Sequence, residues 1–229
     1  MKLISTIATF CNSGFISKII IAICLLMNSE KGFSQTGQAL AFDGINDRVE
    51  LPWVFNGSYT KEAWIKPTAA TLATSSPNII SGDQTALFIL AGQLTAGHAG
   101  ASVFADVQDP ALLVADTWYH IAVSYDATTG TMKLYKDGLL VDTEISVATF
   151  TETRQLLSTF FNTNFFSGQM DEVRFWSNVR SGTEILDNKD CPLSADEPNL
   201  VAYYNFNQGT AGGNNVGLTT LIDTQDKCT

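Results

Sequence analysis

The chain is short of the features that would tie it to a membrane, a nucleic acid or a common catalytic site. Its longest uninterrupted apolar run, Ile19 to Met27, has nine residues, about half of the 18 or so that a membrane-spanning helix needs. Basic residues are few, 13 Lys and Arg against 23 Asp and Glu. That balance disfavours nucleic acids and anionic membranes as partners, since both are held through basic patches. There are two histidines, His98 and His120. The patterns GxSxG, HExxH, CxxC and the Gly-rich phosphate loop are absent, which removes the commonest hydrolase, zinc and nucleotide sites. No repeat of 20 to 50 residues recurs, and no low-complexity linker divides the chain.

The nine-residue run belongs instead to an address. Lys2 and Lys18 precede it, and Gly32-Phe33-Ser34 places small residues at −3 and −1 before Gln35. This pattern predicts a secretory signal peptide over residues 1–34, cut between Ser34 and Gln35, and a secreted or cell-surface protein with no membrane span once the signal is removed. Lys2, Lys18, Lys31 and Glu30 leave with it, so residues 35–229 carry 10 basic against 22 acidic residues, a net charge of −12. Cys11 and Cys24 leave as well. Cys191 and Cys228 remain in an oxidising compartment, where a disulfide between them is expected; two free thiols are the alternative.

What is present is β structure. Residues 118–141, WYHIAVSYDATTGTMKLYKDGLLV, alternate apolar and polar residues and break at Asp126–Gly130 and again at Asp137-Gly138. Asp-Gly between alternating runs marks a tight hairpin turn, because that turn needs positive φ. The stretch therefore reads as a three-stranded antiparallel meander with one dry and one wet face. Further short strands are predicted at 38–42, 48–51, 59–66, 78–81, 85–90, 152–160, 168–176 and 200–206. A Thr/Ala/Ser-rich loop is expected over 68–76 and a Gly/Ala-rich bend over 91–100. Residues 181–188, SGTEILDN, are the one helical segment, with Ser181 and Glu184 in the positions of a capping box. About 195 residues of this kind suit one all-β, two-sheet antiparallel sandwich, a jelly roll.

Six segments carry a family resemblance. ALAFDGINDRVEL (39–51), YTKEAWIKP (59–67), WYHIAVSYD (118–126), MKLYKDGLLV (132–141), FSGQMDEVRFWSNVRS (166–181) and LVAYYNFNQG (200–209) follow one another in order. Together they resemble the laminin-G-like jelly-roll domain of the concanavalin A-like lectin/glucanase superfamily, over residues 38 to 222. The Phe33-Ser34-Gln35 cleavage site resembles those of exported Bacteroidota proteins. The resemblance implies a two-sheet sandwich, export, and binding of carbohydrate or protein, in some members through calcium. It does not imply one activity, because function sits in loops grafted onto the fold. It also implies a further strand of the type GTLxNF after Leu221–Asp223. The chain ends at Thr229, so the domain is expected to lack its last strand or to take it from another chain. The resemblance further implies that Cys191 and Cys228 tie the final segment beside residues 200–206.

The chemistry open to such a chain is narrow. A retaining glycoside hydrolase sets two carboxylates about 5 Å apart. Asp171 and Glu172 are the nearest match, and as neighbours on a strand they are expected on opposite faces. Glu62 stands alone on its strand, and His98 and His120 read as hydrogen-bonded structural residues. Calcium is the more physical cofactor, since hard cations want carboxylate and carbonyl oxygens clustered on a turn. Asp43, Asn46 and Asp47 supply such a cluster, and calcium-binding relatives on this fold suggest Asp171 as a ligand from a second segment. Alternatively Asp43 and Asp47 cap their own turn. For a sugar platform, Trp53 and Phe55 follow a proline in a loop, and Asn162 and Asn164 form a polar tip flanked by Phe160, Phe161, Phe165 and Phe166. These loops sit where binding usually occurs, although most rings in such a sandwich belong to the core.

The reading is thus a secreted, non-catalytic binding module for a glycan or a surface protein, with calcium as a candidate aid. A structural or adhesive piece of a larger surface protein is the second reading. A glycoside hydrolase-related enzyme is the third, and no alternating carboxylate pair supports it.

Overall fold

A computed structural model describes residues 38–52, 54–99, 105–194, 196–208 and 220–224. The leader over residues 1–34, the cleavage residues Ser34 and Gln35, and also Trp53 and Cys228, lie outside the described residues. Two antiparallel sheets face each other. The first holds β1 (Leu40–Asp43), β3 (Tyr59–Pro67), β8 (Tyr119–Asp126), β9 (Thr131–Lys136), β10 (Leu139–Glu144), β12 (Ser167–Trp176) and β13 (Leu200–Tyr204), in the order β1-β12-β3-β8-β9-β10 with β13 also on β12. The second holds β2 (Val49–Leu51), β4 (Asn78–Gly82), β5 (Thr85–Leu90), β6 (Gln93–His98), β7 (Val107–Leu112) and β11 (Gln155–Leu157), in the order β2-β11-β4-β5-β6-β7. Two short helices, α1 (Ala69–Ala73) and α2 (Gly182–Asn188), complete the elements.

The sequence signals explain the local structure. Asp137 and Gly138 both take positive φ, 53° and 79°, as the two-residue turn between β9 and β10 requires. Alternation in β3 sends Tyr59, Lys61, Ala63 and Ile65 inward, where they meet Val123 and Tyr125 of β8 and Leu87 and Ile89 of β5 in one core. Of its outward-facing residues, Thr60, Glu62 and Trp64 are nonetheless buried. The chain after β12 lies over them: α2, capped by Ser181 and Glu184 as expected, lays Ile185 on Ala122 and Tyr135. Among the described residues no helix is long and apolar enough to cross a membrane.

Four segments differ from the expectation. Residues 93–98 form a strand rather than a bend, because β6 is paired on both sides, by β5 and β7, and pairing outweighs the weak strand propensity of its Gly and Ala. β7 carried no clear sequence signal. The 68–76 loop contains α1, started by Thr68, whose side chain accepts the Thr71 amide. The strand expected over 152–160 shrinks to Gln155–Leu157. Residues 152–154 are drawn off to Asp83 and its neighbours, and residues 158–164 turn back on themselves.

Candidate ligand-binding loop

The segment between β11 and β12 is bent by four residues with positive φ: Ser158 (70°), Phe161 (49°), Asn162 (61°) and Asn164 (53°). Phe160 and Thr163 exchange both backbone hydrogen bonds, at 3.0 and 2.9 Å, so Phe161 and Asn162 are the two central residues of a tight hairpin. Asparagine tolerates that conformation; phenylalanine does so at a cost of about 1–2 kcal/mol. The loop is pinned to the second sheet around this strained point. Ser81 donates its hydroxyl to the Thr159 carbonyl at 2.5 Å, and the Asn78 amide donates to the Asn164 carbonyl at 2.8 Å. Phe166 enters the core edge-on to Phe42. The result is a rigid mount that leaves Phe161 44% exposed, its ring edge-on to Phe160 at 4.6 Å between centroids.

Polar groups converge on that ring. The Arg154 guanidinium stands 4.9 Å from its centroid, and Arg154 Nε lies 2.9 Å from Asp83 Oδ1. Asp83 Oδ2 accepts both the amide and the hydroxyl of Thr153, each at 2.5 Å. Burial pushes the Asp83 carboxyl up, but the Thr153 hydrogen bonds and the Arg154 charge outweigh it and hold the group below the usual carboxylate range. Asn162 and Thr163 add exposed amide and hydroxyl groups at the tip. An aromatic ring beside a fixed fan of donors and acceptors suits a sugar, whose ring carries apolar C–H faces and hydroxyl edges.

The structure separates the other sequence candidates. Asp43 Oδ1 accepts the amides of Ile45 and Asn46 at 2.7 and 3.3 Å, and Asp47 Oδ2 accepts the Asp43 amide at 3.0 Å. These bonds close the turn, and the one from Ile45 chiefly lowers the Asp43 pKa. Asn46 is exposed beside them. Asp43 pairs with Ser167, so Asp171 lies four residues further along β12, about 13 Å away. The four proposed calcium ligands are therefore not brought together, and their donor set does not fit one ion. Among the described residues no three His, Cys, Asp or Glu side chains gather as a metal would need. Phe55 is not a loop contact: it is buried, with its ring 6.2 Å from Tyr59 and 5.9 Å from Phe175. Asn162 and Asn164 are exposed, as expected of a loop tip. Cys191 is exposed, and its expected partner Cys228 is outside the described residues.

One expectation about the carboxylates fails. Glu172 has φ 52° and sits in a bulge, so Met170 and Val173 both reach the core and the alternation between Asp171 and Glu172 is lost. Burial pushes Asp171 up to about 7 next to this second carboxyl group. The pair still does not resemble a hydrolase site. Asp171 is enclosed, and Glu172 accepts from Arg174 Nη2 at 2.7 Å and from the Tyr203 hydroxyl at 2.5 Å. Both histidines are enclosed: His98 bonds Tyr59 and the Ala148 carbonyl, and His120 lies beside Glu62. An open cleft of about 810 Å³ runs between β1, β13 and β2, lined by Leu40, Arg48, Val49, Tyr204 and Leu221 among others. Its described lining residues present no exposed ring. Asp83 and Arg154 were missed by sequence reasoning. Their partnership joins the β4–β5 turn to the residue before β11 and has no periodicity to reveal it.

The comparisons with known proteins agree with this architecture. A family model, Laminin_G_3, described as Concanavalin A-like lectin/glucanases superfamily, matches residues 42–186. No curated protein matches the sequence. Among solved structures, a candidate carbohydrate binding protein from Bacteroides ovatus is similar with a TM-score of 0.62 and 19% identity, over 76% of this chain and 52% of that one. The chain thus spans about half the length of that protein. Domain 4 of AbnA, an extracellular GH43 arabinanase from Geobacillus stearothermophilus seen with arabinotriose, is similar with a TM-score of 0.55 and 19% identity, over 65% and 75% of the two chains. The CBM40 of Ruminococcus gnavus IT-sialidase bound to α2,3-sialyllactose is similar with a TM-score of 0.55 and 14% identity, over 66% and 95%. At such identities the likeness is one of fold. With two antiparallel sheets in this order and a family match over most of the described core, the chain belongs to the Laminin_G_3 family of the concanavalin A-like lectin/glucanases superfamily.

Proposed function

We propose that the protein is an exported, non-catalytic module that binds an uncharged glycan at the Phe161 loop. The observation that carries this reading is Phe161 itself, an exposed ring on a strained and firmly anchored turn, with Arg154 lying on it. Strain that the surroundings hold in place is more economically explained by a task than by packing. The arabinanase domain and the sialidase module, which share the fold, are seen with carbohydrate, and of the two ligands arabinotriose is the neutral one and sialyllactose the acidic one. Charge supports a neutral sugar. Arg154, the cation at the ring among the described residues, is already paired with Asp83, and the chain after the predicted leader carries a net charge of −12. An anionic glycan would meet repulsion without a free counter-charge. The test is a glycan array followed by calorimetry with neutral and acidic oligosaccharides. Binding of neutral sugars that Phe161→Ala weakens at least about tenfold supports the reading. Binding unaffected by Phe161→Ala places the site elsewhere, and preference for acidic sugars rejects the charge argument.

A second reading, a structural or adhesive domain, is favoured by the opposite border of the sandwich. There the edge strands β7 and β10 expose Leu112, Leu139 and Leu140, and uncovered apolar edges invite association. Light scattering decides it: a monomer up to about 100 μM, a concentration at which even weak specific interfaces are populated, removes this reading.

A further inference from the structure

The interior contains a row of polar side chains across the second sheet. Gln155 pairs with Gly82, and Thr85 with His98, in neighbouring strands. The Glu152 carboxylate lies on Gly82, so closely that a Cβ there would stand 2.1 Å from Oε2. Lys61 reaches across from the first sheet, donating to Thr85 Oγ1 at 2.7 Å, and lies within electrostatic reach of Glu152. Gln155, Glu152, Thr85, Lys61 and His98 are all buried.

This row is connected to the surface by an unbroken chain of contacts. Glu152 Oε2 accepts the Asp83 amide in a short contact and the Gln84 amide at 3.3 Å. The Asp83 side chain in turn accepts from Thr153 and pairs with Arg154, and Arg154 lies on Phe161. The backbone of Glu152 is itself fixed, its amide donating to Asn56 Oδ1 at 3.0 Å. Asp83 follows directly after the glycine that makes room for the carboxylate. A side chain at position 82 would displace the anchor, and a missing acceptor at 152 would free the turn that aims Asp83.

We propose that Glu152 is a positioning residue, fixing Asp83 and Arg154 in the geometry in which they meet Phe161. It touches no ligand. It acts by holding two backbone amides of the 82–84 turn, with Gly82 providing the space and Lys61 the compensating charge. The inference rests on the glycan reading of the Phe161 loop for its consequence, but not for its geometry.

The experiment follows amide exchange at Asp83, Gln84 and Thr153, and the Arg154 Nε–H signal, by NMR in the full mature chain. Glu152→Ala is expected to speed exchange at the three amides about tenfold or more, the loss of two charge-assisted bonds, and to weaken glycan binding by a similar factor. Glu152→Gln keeps an acceptor oxygen, so protection and affinity stay within about threefold of wild type. Gly82→Ala, which leaves the carboxylate in place chemically but blocks its seat, should behave like Glu152→Ala. Unchanged exchange in a folded Glu152→Ala protein overturns the proposal, as does equal loss in the Ala and Gln variants. Altered exchange with unaltered glycan affinity overturns its link to binding. If the wild type binds no sugar on the array, the glycan reading fails, and the exchange data still decide whether Glu152 sets Asp83 and Arg154.

Discussion

Glu62 and His120 face each other beneath the segment that carries α2, with Glu62 Oε2 3.3 Å from His120 Nε2 and both side chains 1% exposed. Arg180 Nε stands 3.6 Å from the other Glu62 oxygen, and its guanidinium lies 3.8 Å from the centre of the Trp176 ring. Nearby, Arg174 donates to the Asn188 carbonyl at 2.8 Å and the Cys191 carbonyl at 2.7 Å, while Trp64 Nε1 donates to the Lys189 carbonyl at 2.9 Å. These donors gather carbonyls at and just beyond the end of α2, where a helix makes no further bonds of its own. A short helix with one buried apolar residue is thus held down mainly by charge and hydrogen bonds.

Removing Glu62 should accordingly be costly. Burial opposes its charge, but the His120 hydrogen bond and the charges of His120, Arg174 and Arg180 outweigh it, and its pKa is lowered. A lowered carboxyl contributes stability above its ordinary pKa and loses it as the pH falls. Glu62→Gln is expected to destabilise by about 3–5 kcal/mol at pH 7, because it strands buried positive charge. The difference from wild type should shrink below the ordinary carboxyl range near pH 4.5. Urea unfolding at pH 7 and in acid checks both statements.

Asp171 has the opposite sign. Burial lifts its pKa to about 7, against 3.8 for the ordinary group. Between those values the folded chain holds the extra proton, so this carboxyl costs stability increasingly as the pH rises through the interval. Asp171→Asn, which can still accept the Glu172 amide through its carbonyl, is expected to stabilise the protein by about 1–3 kcal/mol at pH 8. No gain should appear near pH 3.5. A variant less stable than wild type at pH 8 would show that the ionised group is supported by partners outweighing its burial.

Lys61 offers a third pH signature. Burial lowers its pKa from 10.5 to about 8, against the pull of Glu152. From pH 8 to 10.5 the unfolded chain binds more protons at this site, so the wild type should gain stability as the pH rises. Lys61→Met lacks that gain. The wild-type advantage should therefore grow by about 2–3 kcal/mol across the interval, and parallel stability curves for the two proteins would contradict it.

Calcium is expected to leave the thermal transition of residues 35–229 in place. The Asp43 and Asp47 oxygens already serve the turn amides, and Asp171 is about 13 Å distant along β12. Scanning calorimetry with 1–10 mM calcium and with chelator tests this. A rise of several degrees that Asp43→Ala abolishes would mean that the turn opens to take an ion.

The parts of the fold legible in the sequence were those governed by near neighbours. Asp137-Gly138 announces its turn because few other pairs accept two positive φ values, and Ser181 with Glu184 announces α2 through a contact three residues long. β6 was read as a bend since its Gly and Ala report nothing of the strands that hold it on either side. The loop tip at Asn162 and Asn164 was visible as a polar break between aromatics. Which ring it exposes was not, because Phe161 and Phe166 are alike in sequence and differ only in that Phe166 enters the core while Phe161 stays exposed. The meeting of Arg154 with Asp83, and of Lys61 with Glu152, is fixed by sheet register and by the stacking of one sheet on the other, neither of which leaves a local trace.

The pairing order also constrains when the domain assembles. β1 joins the first sheet through β12, and β2 joins the second through β11, so both early strands dock onto segments made more than a hundred residues later. The meander β8–β10 and the hairpins of β4, β5 and β6 can close from nearby chain, whereas β2 has no strand partner until residue 157 has appeared and β1 none until residue 170. Long-range closure of this kind is slow. The edge of the first sheet where β1 and β13 lie on β12 is therefore the last part of the sandwich that can be sealed during synthesis.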